Sequence, residues 1–347
     1  MKFSICNVPV YSLKDTLKIA KVADENGFYG FWFADEIYFK DPWVTMAVCA
    51  MVTKNLVFGP CVTHVYLRDP TLIAQALGTL DELSNGRVAC GISTGAPFML
   101  QQYHIRLEGS KPVKRLREAV EVIRKMLTEP RVTYNGEFFK YSGLSSAAKK
   151  MGKIPIYIGG MKGPLTFRLA GEIGDGIMLC YGHSREYFKY VLEEVEKGAK
   201  TAGRDLKEFD VACGDLFCIS RNSDAAKEAV KTMVGRLVSF LPNQQLFKHG
   251  IQPDDVTEIK KAFSTGDVSK VIDLTTMDLV EKLSISGSPD ECIDKIEDLE
   301  TNGVKHLLAL ITDSELIKHL THTKITGIPK YTDMINLISR EIMPHFQ

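Results

Sequence analysis

Residues 154–176 read IPIYIGGMKGPLTFRLAGEIGDG and run directly into GIMLCY at Gly176. A short apolar, β-branched run, a glycine turn, a helix opened by Pro164 and a second apolar run make one strand–helix–strand unit of a parallel sheet. The glycines Gly159, Gly160 and Gly163, with Met161 and Lys162 between them, stand between strand and helix. Backbone N–H groups in such a turn can approach an anion at the helix N-terminus, and Lys162 can add charge. A tight turn without a ligand reads equally well. No G-x-G-x-x-G stands here, so the segment is not a dinucleotide fingerprint.

The same alternation extends both ways along the chain. Candidate strands are KFSICNV at Lys2, FYGFWFA at Phe28, NLVFGPCV at Asn55, RVACGIS at Arg87, IPIYIGG at Ile154, GIMLCY at Gly176, VACGDLFCIS at Val211 and GVKHLLALI at Gly303. Eight such strands with helices between them predict an α/β protein, a closed (β/α)8 barrel. In SLKDTLKIAKVADENG, Ser12 is placed to cap, Leu13, Leu17, Ala20 and Val22 recur at helical spacing, and Gly27 ends the helix. PTLIAQALGTLDELSNG opens on Pro70 and closes at Asn85-Gly86. Two stretches break the rhythm, at about 95–111 and 234–283, and read as insertions in one domain spanning 1–347, since no polar or Pro/Gly-rich linker divides the strands.

The 347 residues carry 43 Lys+Arg against 43 Asp+Glu, a formal net charge of +0, so no bulk field draws nucleic acid or an acidic membrane surface. The N-terminus MKFSICNVPV lacks a signal-peptide core, and no run approaches the roughly 20 apolar residues of a membrane span. The eight cysteines are scattered without a C-x-x-C pair, which argues against zinc or iron–sulfur sites and for a reducing, cytoplasmic setting. No metal is expected.

In a parallel barrel, chemistry sits at the C-terminal ends of the strands. Those positions hold Cys6, Asn7 and Val8; Asp35 and Glu36; Cys61, Val62, Thr63 and His64; Ser93, Thr94 and Gly95; the 159–163 turn; and Cys180 to His183. Adjacent Asp35 and Glu36 can raise each other's pKa and supply a general acid, or be a solvent-facing pair at a helix start. His64 and His183 are candidate proton donors or structural strand-end residues.

Three words carry a resemblance beyond this pattern: TLDELSNGRVACGIS (79–93), the 154–176 segment, and FKHGIQPDD (247–255) followed by SISGSPDECIDKIEDLETNGV (284–304). Together they resemble coenzyme F420-dependent methylenetetrahydromethanopterin reductase of the luciferase-like superfamily, from Met1 to at least His306. The first word is common to the superfamily; the FKHGIQPDD and SGSPDE regions point more narrowly to the reductases. The resemblance implies an archaeal one-carbon enzyme of methanogenesis, a homodimer or homotetramer. It also implies a deazaflavin across the barrel mouth and hydride passing between its C5 and a tetrahydromethanopterin derivative. It further implies a non-proline cis peptide at Cys61–Val62 against the ring, Ser93, Thr94 and Gly95 near the cofactor, and the phosphate and its tail at Gly159 to Gly163. Departures are Cys6 and Ala96 where the family has glutamate and a second acid, and Asp35-Glu36 where it has Asp-His. Glu36 is then the displaced acid, with Asp35 and Cys6 beside it as candidate catalytic residues. Two other readings stay open: an FMN-dependent luciferase-like oxidoreductase or monooxygenase, and a non-catalytic deazaflavin-binding paralogue.

Overall fold

A computed structural model describes residues 1–106, 109–161 and 163–346, apart from the side chain of Phe98. Its strands in chain order are β1 (Lys2–Asn7), β2 (Gly30–Phe33), β3 (Val57–Pro60), β4 (Thr63–His64), β5 (Cys90–Ser93), β6 (Val132–Asn135), β7 (Lys140–Leu144), β8 (Ile156–Gly159), β9 (Gly176–Cys180), β10 (Asp210–Ile219), β11 (Ser284–Gly287) and β12 (His306–Ile311). A helix follows β1, β2, β5, β8, β9, β10, β11 and β12, and β4 after the kink that splits the third expected strand. All eight expected strands are present.

The chain divides into two compact units. The first comprises Met1–Gly30, Leu179–Glu193 and Val211–Gln347. Within it β1 pairs in parallel with β12, Lys2 opposite His306 through Ile5 opposite Ala309. β12 pairs with the first part of β10 and β11 with its last four residues. Every residue of β10, β11 and β12 is buried, as expected of parallel strands covered on both faces.

The second unit comprises Phe31–Met178 and Glu194–Asp210. Here β4, β5, β8 and β9 run parallel in that order. A Phe58–Val88 bridge ties β3 to the residues leading into β5, and Cys61 N donates to Phe33 O at 2.7 Å. Gly59 and Gly91 permit this close approach: a Cβ on Gly59 would stand 2.5 Å from Ala89 O, and one on Gly91 2.5 Å from Pro60 O.

Several local readings change. The helix Leu13–Glu25 is capped by Ser12, but it buries Thr16, Ile19, Ala20 and Ala23, while Leu13 is exposed. Thr16 joins the buried stripe because its hydroxyl donates to Ser12 O, which leaves its methyl group to pack. The insertion expected from 234 begins only after Phe240, since Ser223–Phe240 is the crossover helix behind β10. β11 was not expected as a strand. Its two serine hydroxyls lie 2.9 Å apart, and Ser284 also donates to Val280 O, which lets a polar tetrapeptide be buried. The β6–β7 hairpin was also not expected. The buried Glu118 carboxylate anchors it by accepting from the backbone N–H groups of Glu137, Phe138 and Phe139. No described helix is long and apolar enough to cross a membrane.

Candidate active site

In the second unit the strand ends gather most of the expected residues. The peptide between Cys61 and Val62 is cis, as the resemblance implies, and it lies between β3 and β4. Val62 leans over two strands. A Cβ on Gly91 would stand 2.9 Å from Val62 Cγ1, and one on Gly159 3.1 Å from the same atom. Next along the chain, Thr63 and His64 are buried, and Thr63 Oγ1 and His64 Nδ1 have no hydrogen-bond partner among the described residues. Burial lowers the His64 pKa; Asp35 opposes that shift and Arg68 adds to it, so the imidazole is held neutral.

Trp43 Nε1 donates to Asp35 Oδ2 at 3.3 Å, and Arg68 Nε stands 3.5 Å from the same oxygen. Arg68 also reaches Asp41 at 3.4 Å and lies 5.5 Å from the Trp43 ring centre. Asp35 therefore serves as a charge partner of Arg68, and Glu36 beside it in the chain is half-buried. At the end of β5 the Ser93 hydroxyl accepts from Gly95 N–H at 3.0 Å, closing a tight turn that leaves Thr94 half-buried. Ala96 starts the short helix Pro97–Gln102.

The glycine turn after β8 has Gly163 at φ 97° as the N-terminal cap of the helix Pro164–Ile173, with no side chain capping its first N–H groups. Nothing lies within 4 Å of a Cβ on Gly163, so the turn presents open backbone. Lys162 lies outside the described residues. Gly160 packs against Phe167 and Thr166.

In the first unit Cys6 and Asn7 end β1. Both are buried, and neither atom of the Asn7 amide has a partner among the described residues. Past β9, Tyr181 and Gly182 take positive φ, 65° and 96°, and carry His183 so that its Nε2 stands 2.8 Å from Asp215 Oδ2. Burial, then Cys6 and Asp215, push the Cys180 thiol to about 12. Inert, neutral burial is likewise the state of Cys49 and Cys292, each near 12. His249 and Gln245 belong to this group but were not picked out as site residues. They lie in the insertion, more than 60 residues from the turn they pack against; the FKHGIQ word includes His249 but not Gln245. Among the described residues no group of three or more His, Cys, Asp or Glu is placed to hold a metal ion.

Comparison with known proteins accords with this geometry. The family described as luciferase-like monooxygenase matches residues 4–306. The 5,10-methylenetetrahydromethanopterin reductase of Archaeoglobus fulgidus is 34% identical, over 89% of this chain and 93% of its own. An F420-dependent glucose-6-phosphate dehydrogenase of Mycolicibacterium fortuitum is 31% identical over 74% of this chain and 73% of its own. The structure of coenzyme F420-dependent tetrahydromethanopterin reductase from Methanopyrus kandleri superposes with a TM-score of 0.90 at 29% identity, covering 100% of this chain and 99% of that one.

Proposed function

Because the chain belongs to the luciferase-like monooxygenase family and has its (β/α)8-barrel fold, we propose that it moves hydride between reduced F420 and methylenetetrahydromethanopterin or a related acceptor. It is an oxidoreductase whose cofactor is coenzyme F420. The near full-length similarity to the Archaeoglobus reductase is the observation that supports this choice of acceptor.

The residues fit the cofactor. A deazaflavin ring has a heteroatom-rich edge, and the buried Thr63 Oγ1 and His64 Nδ1 are polar atoms in want of a partner. Cys61, Val62 and Thr63 would back the ring, with Ser93, Thr94 and Gly95 beside it. Gly159, Gly160, Met161 and Gly163, with Lys162, would hold the phosphate and its tail on open backbone N–H groups. When bound, F420 supplies the hydride-donating carbon.

The protein's own work is to hold donor and acceptor carbons at about 3–3.5 Å and to exclude water. Glu36 supplies the proton that a glutamate at position 6 and an acid at position 96 would otherwise provide. Asp35, fixed by Arg68 and Trp43, holds the loop that carries Glu36. A cytoplasmic homodimer or homotetramer completes the proposal, and sedimentation would measure the assembly. The test is acceptor-dependent oxidation of reduced F420 by the purified protein. FMN binding in its place would point to the monooxygenase branch, and F420 binding without turnover to a silent paralogue.

A further inference from the structure

The first unit holds a second polar group at the turn after β9. Gly182 sits on the His249 imidazole so closely that a Cβ would stand 2.3 Å from Cε1 and 2.5 Å from Nδ1. The ring is 4% exposed and packs on Tyr187 at 4.9 Å, yet neither nitrogen has a partner among the described residues. Gln245, 1% exposed, donates from Nε2 to Cys180 O at 3.3 Å and leaves Oε1 without a partner. His183 Nε2 stands 2.8 Å from Oδ2 of the wholly buried Asp215, an ion-pair distance without hydrogen-bond geometry, so neither atom has a hydrogen-bond partner among the described residues.

Buried polar atoms are almost always hydrogen-bonded, so three without partners on two neighbouring side chains imply something that completes them. The group is short of metal character, since no described set of His, Cys, Asp or Glu meets that need. It offers instead an amide acceptor at Gln245, a donor and an acceptor on the His249 ring, and the His183 ring beside Asp215. Burial first, then His183, holds the His249 pKa near 4, so that imidazole is neutral and keeps both roles at neutral pH.

We propose that His183, His249 and Gln245, with Asp215 beside His183, form a subsite for the acceptor that takes the alternating N–H and C=O edge of a planar nitrogen heterocycle. A cyclic amide or aminopyrimidinone edge matches this set of donors and acceptors. An anionic or purely apolar acceptor does not. The inference rests on the reading of the acceptor given above and names the residues that recognise it.

The test is calorimetric binding of tetrahydromethanopterin to the full chain with saturating oxidised F420. It compares wild type, His183→Gln and His249→Gln, with thermal melting and F420 affinity as checks of folding. Both variants are expected to bind F420 as wild type does and tetrahydromethanopterin at least tenfold more weakly. Turnover should show a raised KM for the acceptor and a smaller change in kcat. Variants that keep tetrahydromethanopterin affinity within twofold overturn the subsite while the acceptor reading stands. Wild type that binds F420 but no tetrahydromethanopterin overturns the acceptor reading, and the subsite with it. Should His249→Gln fail to fold, His183→Gln alone decides, because its side chain is partly exposed and holds no packing contact comparable to that of His249 on Gly182.

Discussion

Val62 fills the space directly over Gly91: a Cβ on Gly91 would stand 2.9 Å from Val62 Cγ1 and 2.5 Å from the carbonyl oxygen of Pro60. The side chain could shift, but the backbone oxygen cannot. Gly91→Ala is therefore expected to destabilise the fold by about 1–3 kcal/mol through overpacking. It should also weaken F420 binding, because Val62 is displaced from its seat. Thermal melting and a fluorescence titration with F420 check both effects. Unchanged F420 affinity would remove Val62 from the cofactor bed.

Gly163 takes φ 97° at the start of the Pro164–Ile173 helix, a backbone region that residues with a Cβ rarely enter. Gly163→Ala should shift the turn and weaken F420 binding several-fold. Affinity for the phosphate-free deazaflavin chromophore should stay as it was. Equal loss for both ligands would place the phosphate elsewhere.

Glu36→Gln tests the displaced acid. Loss of a positioned proton donor typically costs two to four orders of magnitude in rate, here about 10²–10⁴-fold in kcat. F420 affinity should be retained. Full activity in this variant would show that the proton comes from another group.

His249 makes stability depend on pH. Its imidazole has a pKa near 4 in the folded chain against 6.5 when unperturbed, because burial and then His183 oppose its charge. The unfolded chain thus binds more protons between those values. The contribution of neutral His249 is whole above pH 6.5 and is lost as pH falls towards 4, by up to about 3 kcal/mol. His64 is shifted in the same direction and adds to the slope. His249→Gln should flatten the fall in Tm over that window without abolishing it. An unchanged slope would show that His249 is not the titrating group.

The strands that frame the site could be read in the sequence because each is a short apolar run flanked by turn signals, and the cis Cys61–Val62 peptide followed from the resemblance. Elements whose burial depends on partners remote in sequence were not legible. Ser284–Gly287 becomes a strand only through its parallel pairing with Leu216–Ile219 of β10, far back in the chain. The 132–144 hairpin reads as polar until Glu118 is seen to gather its N–H groups. The candidate site shows the same division. Asp35 stood out by its place after a strand, but its tie to Arg68, 33 residues on, did not. His183 was legible at the end of β9, whereas the partnership of Asp215 and the approach of His249 to Gly182 arise only from folding.

The most direct test of the proposed function is anaerobic mixing of the purified protein with reduced F420, with and without methylenetetrahydromethanopterin, following the visible absorbance of the oxidised deazaflavin. Rapid oxidation that requires the acceptor is the expected result and would establish hydride transfer despite Cys6 and Ala96. Tight binding of F420 with no acceptor-dependent oxidation would contradict the proposed reaction.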